Sequence, residues 1–262
     1  MVISKNKLKY YSSLKRKKIR ESERRFLIEG MRLCEEILGS AYEVETLLYC
    51  PSQLTSPRGQ DLLARFQQRG IPVMETDAKS LQRLSDTVHS QGMVGVARRR
   101  EFSWEQIMER EPPILLALDQ ITDPGNLGTI IRTANWFGAA AILLSENCVD
   151  FANSKVVRAS MGAVFYIPIF EIANFKERLN ELKKTGYALF AADPAGELNY
   201  SNARFTAKNV LILGNETAGV EADIKKMANA RLAIPRKGEG ESLNVAVAAG
   251  ILLAEMNRNA SA

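Results

Sequence analysis

The chain has 262 residues, 46% apolar and 25% charged, with a net charge of +5, the balance of a globular protein with one large domain or two small ones. No apolar run approaches the ~20 residues that span a bilayer, and Met1-Val2-Ile3 leads straight into lysines without a signal-peptide core, so the chain is expected in the cytoplasm. Cys34, Cys50 and Cys148 share no ligand-like spacing and His89 is the single histidine, which argues against a metal centre and against a Ser-His-Asp triad.

Charge is unevenly distributed. Residues 1–25 carry ten basic side chains against Glu21 and Glu23, a local +8 that leaves −3 on the remainder. A basic block on a mildly acidic body is expected to dock a polyanion, RNA above all, through Lys15, Arg16, Lys17, Lys18 and Arg20. A solvated helix face and a transit peptide are the competing readings. The second is disfavoured because the block runs without a break into Phe26-Leu27-Ile28-Glu29-Gly30.

Hydrophobic periodicity then predicts strands over 25–29, 46–50, 72–76 and 92–98, with helices over 31–38, 60–69 and 78–86 between them. This order suggests a small α/β domain over 1–105. The polar stretch that ends in Pro112-Pro113 reads as a linker, 106–113, and a second α/β domain should fill 114–262. Strands are expected there over 114–119, 140–144, 166–170, 187–191, 210–213 and 231–234. Helices are expected over 127–137, 175–184 and about 244–256.

Three strand-to-loop junctions stand out, each at the carboxyl end of an apolar strand, where open α/β sheets bind ligands. The first reads Asp123-Pro124-Gly125-Asn126-Leu127-Gly128 and runs on to Arg132. Asn126 is expected to cap its helix, and Arg132 to lie opposite the apolar stripe of Leu127, Ile130, Ile131 and Ala134. The second, Gly214-Asn215-Glu216-Thr217-Ala218-Gly219, has glycines that would let a ligand approach the backbone, yet it is no GxGxxG dinucleotide fingerprint. The third runs from Ile234-Pro235-Arg236-Lys237 through Gly240-Glu241 into Ser242-Leu243-Asn244-Val245, where Ser242 or Asn244 can cap an all-round apolar helix suited to burial by a second subunit.

In this order and spacing, the three segments resemble motifs 1, 2 and 3 of the SpoU (TrmH-type) RNA methyltransferases of the SPOUT superfamily, over residues 114–257. The basic opening and Phe26–Gly30 resemble the ribosomal-protein-L30e-like substrate-binding domain that precedes the catalytic domain in many relatives. The resemblance implies a mostly parallel sheet with a deep trefoil knot and a homodimer. It also implies S-adenosyl-L-methionine as cofactor and methylation of a ribose 2′-hydroxyl in RNA, ribosomal RNA before transfer RNA by analogy of the docking domain. It assigns Arg132, Asn126, Glu216 and Asn244 to catalysis, and Gly214, Glu216, Ile234, Ser242 and Leu243 to the cofactor. The sequence departs from the family pattern at Arg236-Lys237, where an apolar residue and then a small one are frequent, and at Ala246, where serine is.

Two other classes compete with this reading. A non-catalytic, ribosome-associated RNA-binding protein would keep the basic block without needing Arg132, Glu216 and Ser242-Leu243-Asn244 together. A nucleotide- or NAD-dependent enzyme would need the glycine-rich first turn that is missing here.

Overall fold

The computed structural model describes residues 1–87, 91–239 and 242–260, and the chain divides into two compact units. The first unit comprises Met1–Glu101 together with a second segment, Asp150–Tyr166. Its first segment runs α1 (Lys5–Ser13), α2 (Lys17–Glu23), β1 (Arg25–Glu29), α3 (Met31–Leu38), β2 (Val44–Tyr49), α4 (Pro57–Gln68), β3 (Val73–Glu75), α5 (Ala78–Leu84) and β4 (Met93–Arg98). The sheet order is β1-β4-β2-β3, antiparallel except for the β2–β3 pair.

Two helices occupy what the charge pattern presents as a basic arm. Ser4 caps α1 by accepting from the Lys7 amide, and Arg24 ends α2 in the left-handed region at φ 51°. Leu8, Tyr11 and Leu14 recur at helical spacing among the lysines and are buried with Leu27, Leu48, Leu81 and Val96. The block is therefore welded to the sheet, and its charges are presented from a rigid base.

The second unit comprises Phe102–Val149 and Ile167–Ala262. It begins with α6 (Trp104–Met108), β5 (Ile114–Asp119), α7 (Pro124–Trp136) and β6 (Ala141–Ser145). The chain then makes its excursion through the first unit, whose helix there is α8 (Ser154–Ala159). It returns with β7 (Ile169–Ile172), α9 (Phe175–Lys184), β8 (Ala188–Ala192), β9 (Leu198–Asn199), β10 (Asn209–Gly214), α10 (Ala222–Met227), β11 (Ala230–Ala233) and α11 (Val245–Ala260). The seven strands lie in the order β7-β6-β5-β10-β8-β11-β9, every pair parallel. Central β5 and β10 are buried along their whole length, as continuous apolar runs require in a sheet covered on both faces. Leu115, Ala117, Val210 and Ile212 face α9 and α10. Their alternates, Leu116, Leu118, Leu211 and Leu213, face the other side, where α11 lies against α7 and β10.

Three expectations differ from the fold. Trp104–Met108, which straddles the end of the expected first domain and the start of the expected linker, forms α6 in the second unit, because Trp104, Ile107 and Met108 pack on the core beneath the second sheet. The strand expected over 166–170 starts at Ile169 instead. Ala163–Phe165 forms a 3-10 turn, and the Tyr166 hydroxyl donates to the Glu36 carbonyl at 2.9 Å. Asp150–Tyr166, contiguous in sequence with the second unit, is built into the first: Asp150 pairs with Arg20, Arg158 with Glu29, and Phe165 stacks on Phe26.

Candidate active site

The carboxyl ends of β5, β10 and β11 carry the three junctions. In the first, Asp123 caps α7 by accepting from the Asn126 amide at 2.8 Å, with Pro124 at the first helical position. Asn126 is therefore the third residue inside the helix and does not cap it. That correction matters, because it leaves the Asn126 side chain free to bond elsewhere. Its Nδ2 donates to Glu216 Oε1 at 3.0 Å, and its Oδ1 accepts from Asn244 Nδ2 at 2.9 Å.

Asn244 in turn caps α11, its Oδ1 accepting from the Ala246 and Val247 amides at 2.8 and 3.3 Å. Glu216 also receives the Asp123 amide at 3.4 Å. One residue from each motif thus joins a single hydrogen-bonded chain, Glu216–Asn126–Asn244. Amide orientation follows from it: with a carboxylate at one end, Asn126 must present its NH2 there and its oxygen to Asn244.

Arg132 lies on the exposed face of α7, opposite buried Leu127, Ile130, Ile131 and Ala134. It makes no ion pair among the described residues. Trp136, one turn further on the same face, is 83% exposed. Ser242 and Leu243 are exposed at the entry to α11, and Ile234 is half-buried just after β11.

Gly214 is buried, and a Cβ there would fall 2.1 Å from the Val220 amide nitrogen. What requires glycine at 214 is the chain's own return across the strand end, so the close approach expected of a ligand is made by backbone. A cleft of about 330 Å³ lined by Gln120, Asn215, Gly219, Glu221 and Lys225 opens beside this loop. It does not include Ile234, Ser242 or Leu243, so it is distinct from the surface those residues form.

Two side chains at this edge escaped the sequence reading. Asp119, the last residue of β5, is buried, and burial pushes its carboxyl above the ordinary aspartate value against the opposing hydrogen bonds from the Glu221 amide and Gln120. Asn215 holds the loop after β10. A carboxylate closing a wholly apolar run and an amide between Gly214 and Glu216 were the available signals.

The basic residues of the first unit divide into two groups. Arg16, Lys17 and Lys18 are exposed, with Lys17 3.6 Å from Glu21. Lys15 lies 3.1 Å from Asp86 and donates to the Ser85 carbonyl. Arg20, expected to face RNA, is 5% exposed: it pairs with buried Asp150 at 2.7 Å and donates to the Leu14 and Lys15 carbonyls. A guanidinium so enclosed is a structural tie, and Arg20 leaves the set of RNA-facing side chains. His89 and Gly240-Glu241 lie outside the described residues. Among the described residues no cluster of three or more potential ligands could hold a metal, and no helix is long and apolar enough to cross a membrane.

Comparison with known proteins matches this geometry to a family. Residues 113–254 match the SpoU rRNA Methylase family model, and residues 5–95 match the MRM3-like substrate binding domain. The chain is 32% identical to the 23S rRNA (guanosine(2553)-2'-O)-methyltransferase RlmP of Bacillus subtilis, over 94% of each protein. It is 31% identical to the 23S rRNA (guanosine-2'-O-)-methyltransferase RlmB of Neisseria meningitidis, over 80% of this chain and 86% of that one. A crystal structure of an AdoMet-bound rRNA methyltransferase from Sinorhizobium meliloti superposes with a TM-score of 0.84 at 33% identity, covering 98% of this chain and 97% of its own. With more than half its length in the family model and relatives aligned along most of the rest, the chain belongs to the SpoU rRNA methylase family.

Proposed function

We propose that this protein transfers a methyl group from S-adenosyl-L-methionine to a ribose 2′-hydroxyl of RNA, with ribosomal RNA as the substrate. The observation that carries the proposal is the Glu216–Asn126–Asn244 chain together with Arg132, exposed on the same helix as Asn126 and without an ion pair among the described residues. The names of the 23S rRNA-modifying relatives support the choice of RNA.

The residues at this edge suit the cofactor. Half-buried Ile234 and exposed Leu243 offer apolar surface to an adenine, and the Ser242 hydroxyl offers a polar contact to a methionine end. Gly214 shapes the loop that carries Glu216. When bound, the cofactor supplies a sulfonium methyl open to in-line displacement. The protein's task is then largely alignment. Asn126 and Asn244 hold fixed dipoles where the ribose must sit, and Glu216 fixes the orientation of Asn126. The resemblance gives the hydroxyl proton to Arg132, but a guanidinium is effectively always protonated. We assign it a two-pronged clamp on the phosphate beside the reacting ribose, with a phosphate oxygen or water taking the proton.

The same proposal includes a homodimer, a trefoil knot in the second unit and residence in the cytoplasm. Trp136 on α7 and Val247 on the adjoining α11, 83% and 49% exposed, are apolar surface of the kind a second copy would cover, and Arg132 shares the Trp136 face. The buried, unpaired cysteines suit a reducing compartment. RNA docks on the first unit through Arg16, Lys17 and Lys18, with Lys15 at its edge.

Arg132→Ala should abolish methyl transfer without changing the melting temperature, because the side chain supports no part of the core. Arg132→Lys should also fail, since a point charge cannot replace a planar fork. Near-normal turnover of the lysine variant would remove the clamp from the proposal.

A further inference from the structure

We propose that Asp119 and Asn215 are positioning residues for the reaction, tying the loop after β10 to the end of β5 on both sides of Glu216 and so setting that carboxylate against Asn126. The inference rests on the reading of Glu216–Asn126–Asn244 as the catalytic unit.

β5 and β10 end level with one another, Leu213 opposite Leu118 and Gly214 opposite Asp119. Their loops therefore leave the sheet side by side. Immediately before Glu216, Asn215 Nδ2 donates to the Gln120 carbonyl at 2.9 Å. Asn215 Oδ1 accepts from the Thr217 and Ala218 amides at 2.9 and 3.0 Å, and its main chain exchanges two hydrogen bonds with Gly219. After the loop, Asp119 Oδ2 accepts from the Glu221 amide at 2.9 Å. Between these ties, Gly214 leaves the returning Gly219–Val220 backbone the space a side chain would take.

The anchor on the β5 side is itself fixed. Gln120 stands at φ 57°, in the left-handed region that a residue with a side chain seldom adopts, and its amide donates to Ser145 Oγ at 2.9 Å. A non-glycine residue held there by the end of β6 and by the loop after β10 marks a backbone whose place matters more than its comfort. Asn215 engages Oδ1 with two amides of its own loop and one Nδ2 hydrogen with the Gln120 carbonyl, so most of its side-chain bonding goes to holding the backbone on which Glu216 stands. We assign its effect on the chemistry to the position of Glu216.

The test is a double-mutant cycle in the full chain, read by single-turnover methyl transfer from labelled adenosylmethionine to an unmodified 23S rRNA transcript. Asn215→Ala and Asp119→Ala should each lower the methyl-transfer rate about tenfold while the KM for RNA changes less than about twofold. Asp119→Asn, which keeps an acceptor for the Glu221 amide, should restore most of the rate. In a Glu216→Ala background, which removes the acceptor for Asn126 and is followed over long incubations, Asn215→Ala should cost no further loss beyond about twofold. An equal loss in both backgrounds would overturn the inference, and so would an Asp119→Asn variant as impaired as Asp119→Ala. If Glu216→Ala alone turned over like the unaltered protein, the reading of the catalytic unit would fall instead, whatever the other variants did.

Discussion

In Asp123-Pro124-Gly125-Asn126 two cap-forming residues compete for one helix start, and the proline between them decides. A proline is favoured at the first helical position, where its missing N–H costs nothing, and this makes the residue before it the cap. The same four residues that suggested Asn126 as the cap therefore held the evidence for Asp123. Asn126 gains a different task, which only the meeting of three distant segments discloses. Asn126→Asp would set a carboxylate against Glu216 and remove the donor between them. Methyl transfer should fall at least about a hundredfold, with thermal stability within about 1 kcal/mol of the unaltered protein because α7 keeps its cap. Glu29 carries a stability prediction of its own. Burial would raise its carboxyl, but the hydroxyls of Ser85 and Thr87, the Asp86 amide and Arg158 outweigh burial and hold it below the ordinary glutamate value. The stability it confers is then complete above the pKa of an unfolded glutamate and is lost as pH falls through the lowered folded value. Glu29→Gln should destabilise the protein at neutral pH and make denaturant midpoints fall less steeply below about pH 4.

At the scale of elements, the central parallel strands were legible because their runs are apolar: β5 coincides with its expected bounds, and β10 and β11 differ by one residue at each end. Helices α1 and α2 are obscured in the sequence, because ten positive charges surround the sparse apolar positions Leu8, Tyr11 and Leu14. Arg20 shows what charge counting hides, since one of the ten is a buried tie between α2 and Asp150. Breaking a buried pair by removing one partner leaves the other charge uncompensated. Arg20→Met should cost about 3 kcal/mol in urea unfolding without altering the salt dependence of RNA binding. Neutralising Arg16, Lys17 and Lys18 should do the reverse. Affinity should fall, and the log–log salt slope should flatten by roughly 0.7 for each phosphate of single-stranded RNA that is no longer neutralised. Equal salt slopes for the triple variant and the unaltered protein would leave these side chains a solvated face.

For the whole molecule, chain order conceals how the two units are built. Asp150–Tyr166 sits between β6 and β7 in sequence, yet buries Val156, Val157, Val164 and Phe165 in the first unit. Nothing local marks such a crossing, because a short amphipathic helix between two parallel strands is what any α/β sequence offers. A fragment beginning at Pro113 would expose those four side chains and lose α6. It should aggregate on size-exclusion chromatography. A fragment from Phe102 in which residues 151–165 are replaced by a glycine–serine linker should stay soluble and bind adenosylmethionine. Equal behaviour of the two fragments would mean that the crossing is not a folding constraint. The most direct measurement bears on the reaction itself. The full-length protein is incubated with methyl-tritiated adenosylmethionine and unmodified 23S rRNA, and the RNA is digested to nucleosides and separated. The label should be found in one 2′-O-methylnucleoside and be absent with Arg132→Ala. Label in a base-methylated nucleoside, or equal labelling by the variant, would contradict ribose methylation by the Arg132 site.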